Sequence, residues 1–397
     1  MPARKISFWR GFSRAGGRAR PNGVHPGGHY HIIKSSHHHI HHFSRIIKSS
    51  HYHPSERLRP GGHYHISMDF HLELHIKPFA QQLNIRDSVM LAGSCFTDHI
   101  SKRLAQQKFN VLENPNGILF NPASIANGIS SYINNRQYKA EDLFFFNDLW
   151  TSWDHHSDYS HPHQQTALGQ INDSIENAHH FLHEAKWLII TLGSSFVYEL
   201  KDETLNGSTG DVAANCHKVP AQHFNHRLLR YAEVEKHLFD IVTKAAAFNP
   251  GIRIIFTISP VRHFREGLVE NNRSKALLHS AVHSITEQFK NTSYFPSYEL
   301  IIDDLRDYRF YAEDMVHPNY QATNYVWEKF SEALIDEESR GIMKQLLSIH
   351  HAKNHRPLHP ETIQHQKFLK TMFDRCLQLS QQYPFLNLVG EMQYFGG

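Results

Sequence analysis

From Ser88 onward the chain alternates short apolar runs with amphipathic stretches. That rhythm fits βα units built on a parallel sheet better than any other class of fold. Ser88-Val89-Met90-Leu91-Ala92 is apolar almost without interruption, as a strand covered on both faces must be. Phe96, Ile100, Leu104 and Phe109 follow at broadly helical spacing. Trp187–Leu192 and Arg253–Ile258 are two further buried runs, the second ended by Ser259-Pro260, and Leu300-Ile301-Ile302 is expected to be the last strand. Leu277, Leu278, Ala281, Val282, Ile285 and Phe289 form a helical stripe that is expected to face a core. Residues 131–180 and 201–226 break the rhythm and are expected to be irregular insertions that build a pocket or lid. Phe144-Phe145-Phe146, Trp150 and Trp153 in the first of them suit stacking on sugar rings and suit a packed lid equally well. Residues 341–397 are expected to form a helical arm packed on the body at 68–340, broken near Arg356-Pro357-Leu358-His359-Pro360.

Residues 1–67 are of another kind. Pro26-Gly27-Gly28-His29-Tyr30-His31-Ile32 returns at 60–66, and Ile32-Ile33-Lys34-Ser35-Ser36-His37 returns at 46–51. Sequence of such low complexity, with no hydrophobic period, is expected to be a disordered extension. Its twelve histidines could hold Ni²⁺, Cu²⁺ or Zn²⁺ as a loose tract. The simpler reading is a dispensable extension, with the folded protein starting at Met68. This segment carries eleven Lys/Arg against one acid, Glu56, so a chain of net charge +3 leaves the remainder at −7. A mildly acidic body offers no electrostatic footprint for nucleic acid. No run of about 18 apolar residues exists to span a membrane. Cys95, Cys216 and Cys376 are too few and scattered for a disulfide framework or a four-ligand zinc site, and no secretory signal is evident, so a cytoplasmic setting is expected.

Two short motifs carry chemistry. Gly93-Ser94-Cys95-Phe96 falls where the first strand gives way to a helix, at the carboxyl end of the sheet where open α/β folds bind ligands. A serine there is near a helix N-terminus that favours negative charge, although a Gly-Ser at such a turn is more often a simple cap. Asp314-Met315-Val316-His317-Pro318 lies beyond the last expected strand. Its spacing lets one turn present an aspartate that orients an imidazole, and the imidazole a base for Ser94. Pro318 suits the first position of a helix, with His317 in the loop before it. Cys95 is the weaker candidate nucleophile, since its side chain should point away from that of Ser94.

This order of motifs resembles the SGNH/GDSL hydrolases and, within them, the GSCFA family. Gly93-Ser94-Cys95-Phe96-Thr97 is that family's name motif with Thr for the final Ala. Similar blocks follow in order at 114–122, 191–199, 215–218, 259–263, 294–299 and 303–311. The resemblance implies a three-layer α/β/α, flavodoxin-like fold with a five-stranded parallel sheet, and acyl-ester chemistry without a metal or organic cofactor. It makes Ser94 the nucleophile, His317 the general base and Asp314 its orienter, with Gly117 as a backbone oxyanion donor. Where the superfamily carries Gly-x-x-Asn, this chain has Gly193-Ser194-Ser195-Phe196, so the third donor is missing or comes from Asn114, Ser194 or His217. His217 and His263 are either substrate contacts or satisfied loop histidines. Arg262 is expected to pair with the Asp303/Asp304 region, and Asp303, Asp304 and Asp307 to form ion pairs with Arg306 and Arg309 rather than hold a cation.

The expected activity is hydrolysis of an acyl ester on a carbohydrate or other small polar molecule. An acyltransferase using the same acyl-enzyme and a noncatalytic glycan- or partner-binding module are the alternatives.

Overall fold

The computed structural model describes residues 71–201 and 203–396. The expected extension over 1–67 and the start at Met68 therefore lie outside the described residues. Five parallel strands form the central sheet: β1 (Ser88–Gly93), β2 (Asn110–Glu113), β5 (Trp187–Leu192), β9 (Arg253–Ile258) and β10 (Thr292–Phe295). They lie in the order β2-β1-β5-β9-β10. The chain leaves β1 for the edge strand β2, then returns to the other side of β1 to lay down β5. That reversal is the topological switch point of a doubly wound sheet, where a crevice opens between neighbouring strand ends.

Helices cover both faces, because side chains of successive strand residues point to opposite sides and here both sides are dry. Met90, Leu188, Ile190, Ile254 and Phe256 enter one core with α2 (Pro122–Ile133), α3 (Gln164–Glu184), α4 (Tyr231–Phe248) and α5 (Leu268–Gln288). Val89, Leu91, Ile189 and Ile255 enter the other with α1 (Phe96–Gln106) and α6 (Tyr320–Leu334). The result is a three-layer α/β/α fold. The C-terminal arm, α7 (Glu337–Asn354), α8 (Ile363–Gln382) and α9 (Val389–Gly396), extends this second core through Ile342, Leu346, Met372, Cys376 and Phe395.

Three expectations about elements need correction. The last strand is Thr292–Phe295, whereas Leu300–Leu305 is a wide helical turn. A short apolar run does not by itself distinguish strand from helix. Residues 131–180 are not wholly irregular, since α3 occupies 164–184 and buries Ala167, Ile171, Ile175, Ala178 and Leu182 at helical spacing. The aromatic residues before it form the hairpin β3 (Phe144–Phe146) and β4 (Leu149–Thr151), joined by Asn147 and Asp148 at φ 48 and 61°. Two consecutive positive φ values suit the twist of a two-residue hairpin. Finally, 201–226 contributes to a three-stranded antiparallel sheet of β6 (Phe196–Leu200), β7 (Val212–Ala213) and β8 (Phe224–Leu228). The two insertions close on each other: Phe144 stacks on Trp153 at 4.0 Å and both pack with Leu200, Val219 and Phe224. Those rings form a small core of their own.

Gly93 is fixed by the close approach of β1 to β5. Its φ is +144°, and a Cβ there would stand 2.2 Å from the Thr191 carbonyl oxygen. Gly93→Ala is therefore expected to destabilise the protein by about 3 kcal/mol or more, since backbone must move on both strands. By contrast, Gly169 in α3 has nothing within 4 Å of an added Cβ. Gly169→Ala should stabilise by roughly 0.5–1 kcal/mol. Denaturant melts of the two variants check both signs.

Candidate active site at the sheet switch point

Ser94 is the first residue past β1, directly on the switch point. Its N–H donates to the Thr191 carbonyl at 3.0 Å, which draws the start of α1 against β5. α1 begins without a side-chain cap, and its Thr97 N–H donates to the Ser94 carbonyl at 2.8 Å. The Ser94 side chain is 1% exposed, and its Oγ has no hydrogen-bond partner among the described residues. A buried hydroxyl left without a partner is unusual and calls for a functional explanation. Gly193, just beyond β5, abuts it: a Cβ at Gly193 would lie 3.2 Å from Ser94 Cβ and 3.4 Å from His263 Nε2. Small size at 193 thus lets the segments following β1, β5 and β9 converge. His263 Nε2 is likewise buried and unpartnered. Burial first, then Lys275 and His317, pushes the His263 pKa down to about 4, so the ring is neutral near pH 7.

Asp314 and His317 are already assembled. Asp314 Oδ1 accepts from the N–H groups of Val316 (2.9 Å) and His317 (3.0 Å), while its Oδ2 accepts from His317 Nδ1 at 2.7 Å. With Nδ1 donating, Nε2 is left as the ring's proton acceptor. The backbone and ring donors of His317 hold the Asp314 carboxyl down to about 2, so it remains ionised throughout the neutral range. Met315 turns the loop at φ 57°, and Ala312 N–H closes it by donating to the His317 carbonyl at 2.8 Å. Pro318 is not the first helical residue; Asn319 caps α6, and Pro318 instead bridges Tyr311. Arg262 N–H reaches the Val316 carbonyl at 3.3 Å, tying this loop to the end of β9. Burial lowers the pKa of both His99 in α1 and His263, with His317 among the smaller contributors to each. No Ser94–His317 hydrogen bond occurs among the described residues, because the serine is buried and the His317 side chain is half exposed.

The amino end of α5 supports these loops through residues the sequence analysis passed over. Asn271 Oδ1 accepts from His263 N–H at 2.9 Å, and Ser274 Oγ accepts from Ser195 N–H at 2.7 Å. Lys275, only 2% exposed, donates from Nζ to the carbonyls of Gly193 (2.7 Å) and Ser259 (2.6 Å). Burial pushes its pKa down to about 7, and even the neutral amine has two N–H bonds for these two acceptors. A sequence signal did exist. Asn271, Ser274 and Lys275 continue the buried stripe Leu278, Ala281, Val282 and Ile285 toward the amino end of the helix, where it turns polar.

The remaining candidate residues divide between support and site. Asn114 is engaged in support: Oδ1 accepts from Gly93 N–H at 2.9 Å and Nδ2 donates to Asp98 at 3.1 Å. The Gly117 N–H donates to the Asn114 carbonyl (2.7 Å), and those of Gly193 (2.8 Å) and Ser194 (3.0 Å) to the Phe120 carbonyl. These groups have acceptors already, so none is free for an oxyanion in this conformation. His217 belongs to the insertion core, with Nε2 2.9 Å from the Ser152 carbonyl and its ring against Phe144 and Trp153. Burial lowers its pKa to about 4. The Cys95 thiol is pushed up by burial and then by Asp98, the opposite of an activated thiolate.

Arg262 departs from expectation: it lies over Tyr311 at 4.3 Å and makes no ion pair with Asp303 or Asp304 among the described residues. In the acidic cluster, Asp307 pairs with Arg309 at 2.9 Å, whereas buried Asp304 accepts from Leu74 N–H and Tyr325 Oη. Among the described residues no group of three or more His, Cys, Asp or Glu could hold a metal ion.

Beside this convergence a cavity of about 370 Å³ opens, walled in part by Ser194, Phe196, His263 and Val316. Ser94 lies behind that wall. The fold and site together define a doubly wound α/β/α protein with a serine and a histidine–aspartate pair at the carboxyl edge of its sheet. The chain belongs to the GSCFA family, whose description matches residues 88–330. Residues 347–396 match the GSCFA domain protein, C-terminal domain. No curated protein matches the chain. Among the described residues no helix is long and apolar enough to cross a membrane.

Lys275 yields a test by titration. Its folded-state pKa of about 7 lies below the ordinary 10.5, so across that window unfolding takes up a proton and the group's contribution to stability rises with pH. Below about 7 both states are protonated and the contribution is level. The melting temperature of the wild type relative to Lys275→Met should be flat at acidic pH and climb above neutrality. A difference curve with no such climb would refute the buried-amine assignment.

Proposed function

We propose that the chain is a serine hydrolase of the SGNH/GDSL type acting on an acyl ester of a carbohydrate or other small polar molecule. The observation carrying this reading is the Asp314–His317 pair, oriented through Nδ1 at 2.7 Å beside the strand ends where the buried, unpartnered Ser94 hydroxyl lies. Ser94 Oγ attacks the ester carbonyl as His317 Nε2 takes its proton. His317 returns that proton to the departing alcohol, leaving an acyl-serine. Water then attacks the acyl group, giving up a proton to His317, and the carboxylic acid departs as Ser94 regains its hydrogen. Asp314, ionised at neutral pH, stabilises the imidazolium formed in each step. A backbone N–H at the start of α1 other than that of Thr97, which bonds the Ser94 carbonyl, serves the oxyanion in place of the Asn that Phe196 replaces. An acyltransferase differs only in letting an alcohol replace water as acceptor.

In this conformation Ser94 must come out from behind the cavity wall to meet His317. That burial also favours a second reading, a binding module whose serine is structural. A fluorophosphonate separates the two. Hydrolase chemistry predicts covalent labelling at Ser94, lost in Ser94→Ala and slowed about 10³-fold or more in Asp314→Asn, where the base loses its orienting charge. Intact-mass spectrometry showing no adduct on the folded wild type would leave the binding module standing.

A further inference from the structure

The cavity beside the site is lined by two arginines and one carboxylate, Glu266. Arg262 and Arg265 both line it. Arg262 lies over the Tyr311 ring at 4.3 Å, and Arg265 over the Tyr198 ring at 5.2 Å. Neither has a carboxylate within ion-pair distance among the described residues. The acid on the same wall, Glu266, faces His226 at 3.4 Å. Arg136, Arg227, Arg273 and Arg309 are ion-paired, whereas Arg103, Arg253 and Arg340 are among the described arginines that are not; what sets Arg262 and Arg265 apart is that both line one cavity. Two like charges held on one concave wall repel each other, and their ring contacts fix the guanidinium planes without neutralising them. His263 also lines the cavity, and its buried Nε2 has no partner among the described residues. About 370 Å³ is room for a small ligand.

We propose that this cavity binds an anionic group of the substrate, a carboxylate or a phosphate, through Arg262 and Arg265. Guanidinium forks match both groups in two-point geometry. Val316, next to His317 in the chain, lines the same cavity, so the anion site lies beside the His317 loop. An ester carrying its charge in the cavity would thus present its carbonyl toward the catalytic pair. The word substrate rests on the hydrolase reading; the anion site does not.

Isothermal titration of the full-length protein with inorganic phosphate and with succinate, at fixed low ionic strength, tests the site. Ser94→Ala should bind as the wild type does, while Arg262→Met and Arg265→Met should each weaken binding of at least one anion about tenfold or more. Arg273→Met, on an ion-paired surface of α5, should change nothing. Which anion binds tells a carboxylate-bearing substrate from a phosphorylated one. No saturable binding, or binding equally strong in both cavity variants with melting curves unchanged, overturns the proposal. Anion binding that persists in a protein whose Ser94 never labels would instead sink the hydrolase reading and leave the anion site intact.

Discussion

A single amine holds the strand ends in place. Lys275 Nζ bonds the carbonyls that follow β5 and β9, and through Gly193 it fixes the surface against which Ser94 and His263 meet. Strand ends cannot satisfy these carbonyls themselves, because the sheet ladder stops there and water is excluded. A buried amine with no carboxylate partner is expensive. Its retention makes sense where several loops must hold one arrangement at once. Asn271 and Ser274 extend the same function along one face of α5, so one helix terminus organises the loops after β5 and β9.

The architecture was largely legible because its signals are local. β1, β5 and β9 are unbroken apolar runs, and the residues between them fall into helical stripes. The last strand was misplaced because Thr292-Ser293-Tyr294-Phe295 is short and half polar, whereas the stretch Leu300-Ile301-Ile302 is more apolar yet helical. α3 escaped notice because polar residues and histidines surround its stripe, which only spacing reveals.

At the site, the Asp314–His317 contact was legible and the supporting bonds were not. A Ser at a strand-to-helix turn and an Asp three residues before a His declare themselves by type and spacing. Whether Asn114, Gly117 or Ser194 keeps a free donor depends on which acceptor the folded chain brings to it, and that is set by segments far away in sequence. His217 and His263 illustrate the same limit. Both are half-buried histidines near pocket-forming loops, but one is tied into the insertion core and the other has its Nε2 left unpartnered beside the cavity.

The two matched regions of the family, though separate along the chain, share one hydrophobic interior. Phe96, Ile100 and Leu104 of α1 pack into the same cluster as Ile342, Leu346, Cys376 and Phe395 of the arm, and Lys108 pairs with Glu391 at 2.8 Å. The helix that begins just after Ser94 is thus wedged from behind by the last sixty or so residues. Those helices act as a buttress rather than an accessory, so a sequence change in the C-terminal region can reach the segment around Ser94 without ever touching a ligand.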